Sequence, residues 1–230
     1  MHRNIVYRVD HTIFWHRMKN LIRSFLTMER DTKNMIRDTD IVIRSHYGHA
    51  FPSISELGKK IFYEFANSNL ILEEPRLNSQ RIKFIGGIAY EKAGEIKDQF
   101  LDILSNSRRG VVLISFGSQV TSSHYPSHVI SAFLYSITYL KEYTFIWKFD
   151  GDLDNIPTNL HLVDWVPQPQ LLQDKRVCAF VSHMGMNSFI ESSFAGVPIL
   201  VIPLFAEQSH NGHTNDTMLE SMAAVLKEER

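Results

Sequence analysis

The sequence predicts an α/β protein built around a doubly wound parallel sheet. Three observations carry that prediction. From about Ala89 onward, short apolar runs alternate with amphipathic segments in a regular rhythm. The apolar runs show no polar alternation, as expected of strands covered on both faces. Polar residues then cluster just after each run, where a parallel sheet gathers its carboxyl ends and its ligands.

Each element has its own warrant. "EIKDQFLDILSNS" places Ile96, Phe100, Ile103 and Leu104 on one helical face, and "GVVLISFGS" follows as a buried strand. "SHVISAFLYSITYL" is a helix, "TFIWKFDG" a strand and "LHLVDWV" a shorter one. A short helix at "QPQLLQD" precedes strand "VCAFVSH", helix "NSFIESSFA" and strand "VPILVI". A helix over "EQSHNGHTNDTMLES" and a strand at "AAVLK" complete the series. Before Ala89 the pattern is irregular from Asn20 to about Asn78. "ISELGKKIFYEF" (Ile54 to Phe65) predicts a weakly amphipathic helix with Leu57, Ile61 and Phe65 on one stripe. "NLILEEP" predicts a short strand stopped by Pro75, and "RIKFIGGI" another that ends in the turn signal Gly86-Gly87.

Bulk properties narrow the function. The 24 basic and 25 acidic side chains nearly cancel, leaving a formal charge of -1, and no basic block stands out. A nucleic-acid footprint would need a basic face, so no nucleic-acid partner is expected. The single cysteine, Cys178, cannot form an internal disulfide and lies in an apolar run, where a buried, inert thiol is expected. The opening twenty residues interrupt every apolar run with charge, so they do not form a signal peptide. The longest apolar run, Val197 to Ala206, contains two prolines and falls well short of the ~20 residues of a spanning helix. The chain as given therefore reads as soluble. The pairs His46/His49 and His210/His213 each offer two nitrogen ligands but no third, so no metal site is expected. Asn215-Asp216-Thr217 is a glycosylation sequon on a predicted helix.

The loops after the strands hold the chemistry. In "SHMGMNS" a strand gives way to a helix starting near Met186 or Asn187, with Gly185 allowing a tight turn and close approach of backbone to ligand. Unsatisfied N–H groups and the helix dipole make that N-terminus suited to a diphosphate. His183, Asn187 and Ser188 add donors, and Glu191, one turn beyond Asn187, can accept from vicinal sugar hydroxyls. The plainer reading makes Asn187 or Ser188 a helix cap and His183 a surface residue. In "WVPQ", Trp165 offers a face for a planar base and Gln168 a reader of its edge; the plainer reading is a core tryptophan. In "AEQ", Glu207 and Gln208 can bond adjacent hydroxyls of a hexose, or merely begin a helix.

Together "ISFGS", "WVPQPQLL", "FVSHMGMNSFIES" and "GVPILVIPLFAEQSHN" resemble the UDP-glycosyltransferase family, in its UDP-glucuronosyltransferase-like branch. Order and spacing match throughout Trp165 to Gln208, and "ANSNLILEEPRLNSQRIKFIGGI" resembles the family segment before the interdomain linker. The resemblance implies the GT-B architecture, two facing Rossmann-like domains. Residues 1–88 would be a remnant of the acceptor-binding domain with the linker, and 89–230 most of the C-terminal UDP-sugar domain. Carried over by position, Trp165 stacks on uracil, Val166 and Gln168 meet the nucleoside, and Glu191 holds the ribose. Ser118, His183, Asn187 and Ser188, with the backbone at Gly185, surround the diphosphate; Lys148 lies near the nucleotide; Glu207 and Gln208 bind the sugar.

The implied reaction is inverting, metal-independent transfer of a hexosyl or glucuronosyl group from a UDP-sugar to a small lipophilic acceptor, without a cofactor. The family's general base, a histidine early in the acceptor domain, has no counterpart here, so the chain reads as a fragment whose catalytic residue is unassigned. The alternative is a truncated, non-catalytic UDP-sugar-binding or regulatory partner that pairs with full-length relatives. For a full-length member the resemblance implies a lumenal place at the endoplasmic reticulum membrane. Met184 stands where the branch usually has Gly, and Glu207 where it often has Asp.

Overall fold

A computed structural model describes residues 13–68, 78–88, 94–122 and 125–204, with 90, 208, 211 and 212; side chains 20, 23, 24 and 27–29 are excepted. The chain divides into two compact units. One comprises Met1–Phe65 with Asn78–Lys83, the other Ala66–Leu77 with Phe84–Arg230. Among the described residues, no helix is long and apolar enough to cross a membrane.

The first unit is dominated by α1 (Phe14–Tyr47), a helix that the irregular pattern did not predict. Its last turn carries Arg44 and His46, which complement the negative end of the helix dipole. Gly48, at φ +89°, ends it by donating its N–H to the Arg44 carbonyl. α2 (Ile54–Lys59) begins with a reciprocal cap: Ser53 Oγ accepts from the Glu56 N–H, and Glu56 Oε2 accepts from the Ser53 N–H. Asp40 accepts the Ile54 N–H at 2.8 Å and so ties the start of α2 to α1.

The helix expected to run from Ile54 to Phe65 stops at Lys59 instead. Beyond it the carbonyls of Ile61 and Phe62 accept from the Arg81 guanidinium. Phe65 then lies in β1 (Glu64–Ala66), which pairs with β2 (Ile82–Phe84), and Ile61 and Phe65 are exposed rather than striped on a helix. The strand expected at "NLILEEP" lies outside the described residues, as do the last predicted helix, almost entirely, and the last strand.

Among the described residues, the second unit follows the predicted α/β order from the helix before the first sheet strand through the strand at Ile199–Val201. α3 (Asp98–Ser105), β3 (Val111–Ser115), α4 (Ser127–Tyr139), β4 (Thr144–Lys148) and β5 (Leu160–Val163) come first. α5 (Gln168–Gln173), β6 (Val177–Ser182), α6 (Met186–Ala195) and β7 (Ile199–Val201) follow. The sheet order is β5-β4-β3-β6-β7, and every neighbouring pair is parallel.

Two apolar layers explain the uninterrupted strands. Val111, Leu113, Ile146 and Phe180 pack with Phe100 and Leu104 of α3 and Leu171 and Leu172 of α5. Ile114, Phe145, Trp147 and Val181 point the other way, toward Ile137 of α4. Successive residues thus serve opposite faces, and both faces are dry. Cys178 is half-buried, its thiol donating to the Val111 carbonyl at 3.4 Å; burial raises its pKa and keeps it a poor nucleophile.

Candidate functional site

Because the five strands are parallel, their carboxyl ends share one edge of the sheet, and the chain places its polar loops there. The loop after β6 is the most constrained. Gly117, following β3, and Gly185 both lie against the imidazole of His183: a Cβ on either would come within 2.8 Å of a ring atom. The ring therefore sits in a slot that only glycines leave open, and Gly117 also needs its φ of +79°.

Met184 lies in the left-handed region at φ +65°, an unusual state for a side chain of its size. Two bonds hold it. Ser182 Oγ accepts its N–H at 3.1 Å, and the buried amide of Asn211 donates to its carbonyl at 2.9 Å. These bonds hold a non-glycine residue in a conformation that favours glycine.

The N-cap of α6 is Gly185, and no side chain caps the helix. Asn187 and Ser188 are therefore not caps, which removes the plainer reading of both. Asn187 is exposed, and its Oδ1 accepts from Asn67 Nδ2 at 3.0 Å. Ser188 is buried and accepts from Gln168 Nε2 at 3.1 Å. The same amide donates to Glu191 Oε2 at 2.7 Å. Gln168, the first residue of α5, thus joins the loop after β5 to the first turns of α6. Glu191 is partly buried; burial raises its carboxyl pKa, and the Gln168 bond opposes that shift more weakly.

Trp165 is 69% exposed, so it is not a core tryptophan. Beside it, Lys148 at the end of β4 is only 8% exposed, with its Nζ 5.9 Å from the indole centroid and 3.4 Å from Asp150 Oδ1. A buried ammonium next to an exposed ring face offers a flat surface and a positive charge together. The Val166 side chain is buried in the core, so only its main chain can meet a ligand. Ser118 is exposed after β3.

Gln208 departs from a simple ligand role. It is 3% exposed, and its Oε1 accepts the Leu204 N–H at 2.8 Å, so part of its bonding capacity goes to the main chain. Glu207, His210, His213 and Asn215 lie outside the described residues. Three contributors were missed in the sequence: Asn67, Asn211 and Tyr90, the last stacked on Phe194 of α6. Only the position of Asn67 just before the linker-like segment could have flagged it.

The parallel five-stranded sheet with helices on both faces defines a Rossmann-like α/β unit, and comparison with solved structures makes it a GT-B glycosyltransferase fold. A UDP-glucose:anthocyanidin 3-O-glucosyltransferase, solved in complex with UDP, matches with a TM-score of 0.52 at 26% identity, over 64% of this chain and 36% of that one. The chain belongs to the family described as "UDP-glucoronosyl and UDP-glucosyl transferase", whose model matches residues 3–228. Similar relatives include the Caenorhabditis elegans protein named "Putative UDP-glucuronosyltransferase ugt-48", 29% identical over 87% of this chain and 39% of its own length. An "Ecdysteroid UDP-glucosyltransferase" of Spodoptera littoralis nuclear polyhedrosis virus is 28% identical over 78% of this chain and 36% of its own. The chain spans about two fifths of the length of the curated relatives it matches.

Proposed function

We propose that the second unit binds a UDP-sugar along its carboxyl edge and serves as the donor half of a hexosyl or glucuronosyl transferase. The carrying observation is the bond network of Gln168, Ser188 and Glu191 beside the exposed Trp165. It sets a base-stacking face, an amide and a carboxylate next to a helix N-terminus. In this reading uracil stacks on Trp165, and the main chain at Val166 and the Gln168 amide meet the nucleoside. Glu191 accepts from the ribose hydroxyls. His183, Asn187, Ser188, Ser118 and the N–H groups from Gly185 onward surround the diphosphate, with Lys148 near the nucleotide. Glu207 and Gln208 hold the sugar.

The chemistry is an inverting displacement. An acceptor oxygen or nitrogen bonds to the anomeric carbon from the face opposite the nucleotide, while the bond to the β-phosphate oxygen breaks and UDP leaves with the electron pair. Fixed donors at the α6 N-terminus and on His183 stabilise the growing charge on the diphosphate without reorganising, so the reading calls on neither a metal nor a cofactor. The base that takes the acceptor's proton is not assigned to a residue of this chain. A small lipophilic acceptor is supported by the viral relative, whose name specifies an ecdysteroid. Residues 89–230 would form the donor side; of residues 1–88, expected on the acceptor side and linker, 66–68 and 84–88 cluster with the donor unit and would be counted with it.

Thermal denaturation with UDP-glucose, UDP-glucuronic acid and ADP-glucose tests the reading. A ligand at a hundredfold excess over its Kd adds about 2.7 kcal/mol, or roughly 5–10 °C for a chain of this size. One or both UDP-sugars are expected to give that shift and ADP-glucose none. Equal shifts for all three, or none, would remove the proposed site.

A further inference from the structure

Two short stretches that precede the five-stranded sheet lie along the outward face of α6. The main chain on both sides of Asn67 is pinned: the Ala66 carbonyl accepts from Ser68 and Ile85 at 2.8 and 2.9 Å, and the Ser68 carbonyl accepts from Gly86 at 2.8 Å. From that position Asn67 Nδ2 donates to Asn187 Oδ1. Further along the helix, Gly87 abuts Phe194 so closely that a Cβ would lie 2.8 Å from the ring. Tyr90 stacks on the same ring, with centroids 4.5 Å apart and planes 16° from parallel. Asn187, Glu191 and Phe194 are spaced four and three residues apart, so they form one helical face.

The direction of the Asn67 bond matters. A side-chain amide presents one acceptor and one donor end. With its oxygen taken by Asn67, Asn187 has its Nδ2 left to offer a ligand, which is the end a diphosphate needs. The rotated amide would turn an oxygen toward phosphate oxygens and repel them. We infer that Asn67 is a positioning residue for the donor nucleotide, fixing the Asn187 amide so that its N–H groups serve the diphosphate. The Tyr90–Phe194 stack anchors the other end of that helix face. This inference rests on the donor-site reading above.

Calorimetric titration of the full chain with UDP and with uridine tests it, using Asn67→Ala, Asn187→Ala and the double variant. Loss of a neutral orienting bond predicts about threefold to tenfold weaker UDP binding in Asn67→Ala, with uridine binding unchanged. In the Asn187→Ala background, Asn67→Ala is expected to add nothing. Asn67→Asp, which keeps the shape but cannot donate, is expected to lose at least as much UDP affinity. Circular dichroism and melting temperature show whether each variant is folded. The inference is overturned if Asn67→Ala and Asn67→Asp bind UDP like the wild type, or if the loss persists undiminished without Asn187, or if uridine weakens equally. Folded wild-type chain that binds no UDP removes the donor-site reading and the inference together. UDP binding that Asn187→Ala weakens and Asn67→Ala leaves intact removes the inference alone.

Discussion

Met184→Gly sets two opposed effects against each other at one residue. At φ +65° a non-glycine residue carries about 1–2 kcal/mol of backbone strain, which glycine would relieve. The Met184 side chain, however, is 0% exposed, and emptying a buried methionine site costs about 2–5 kcal/mol even when alanine replaces it. Glycine also loses roughly 0.5–1 kcal/mol more chain entropy on folding. Burial wins, so Met184→Gly is expected to destabilise the second unit by about 2–4 kcal/mol although it relieves the backbone. Met184→Ala separates the two effects, because it empties the site but keeps the strain. Urea denaturation followed by tryptophan fluorescence is expected to rank wild type above Met184→Gly, and Met184→Gly above Met184→Ala by about 1 kcal/mol. Alanine equal to or better than glycine would refute the strain argument, and glycine as stable as methionine would refute the burial argument.

Other perturbations separate binding from folding. Trp165→Ala removes an exposed ring, so it is expected to leave the unfolding free energy from urea titration within about 0.5 kcal/mol of wild type while weakening UDP by about 1–3 kcal/mol in calorimetry. Gly185→Ala is expected to push the His183 imidazole out of its slot, because φ is ordinary there and the clash with the ring is the whole effect; weaker UDP binding at nearly unchanged secondary structure would show it. Glu191 has a folded pKa above its unfolded one, so between those values the native state holds more protons and stability falls as pH rises. Glu191→Gln lacks that loss. Its urea midpoint is expected to gain on wild type between pH 4 and pH 7, and a constant difference across that range would contradict the assignment.

Much of the second unit was legible because its strands are dry on both faces. Val111 to Ser115 and Val177 to Ser182 serve opposite layers with successive residues, so apolar runs without alternation marked them. The first unit was harder to read. Ile61 and Phe65 fall on a helical stripe with Leu57, yet the helix stops at Lys59, Arg81 bonds the carbonyls of Ile61 and Phe62, and Phe65 pairs in a strand with a segment about twenty residues away. No local pattern carries that information. The long helix α1 went unseen because basic and acidic residues break up its apolar positions, leaving large side chains such as Trp15 and Phe25 exposed.

In the site, residue types and spacing pointed to Trp165, Gln168, His183 and Glu191. Structure was needed to show that Trp165 stands clear of the core and that Gly185, not Asn187, caps α6. Asn67 reaches the first turn of α6, and Asn211 the loop after β6, each through a single hydrogen bond from another part of the chain, and a sequence does not announce such pairs.

In the proposed reading the edge formed by β3 through β7 is a UDP site centred on the His183 loop. Isothermal titration of UDP into the folded chain tests it most directly, with His183→Ala run alongside. Saturable one-to-one binding is expected, weakening about tenfold or more in the variant, the worth of a charge-assisted bond to the diphosphate. No heat of binding with well-folded protein, or equal affinity in His183→Ala, would contradict it.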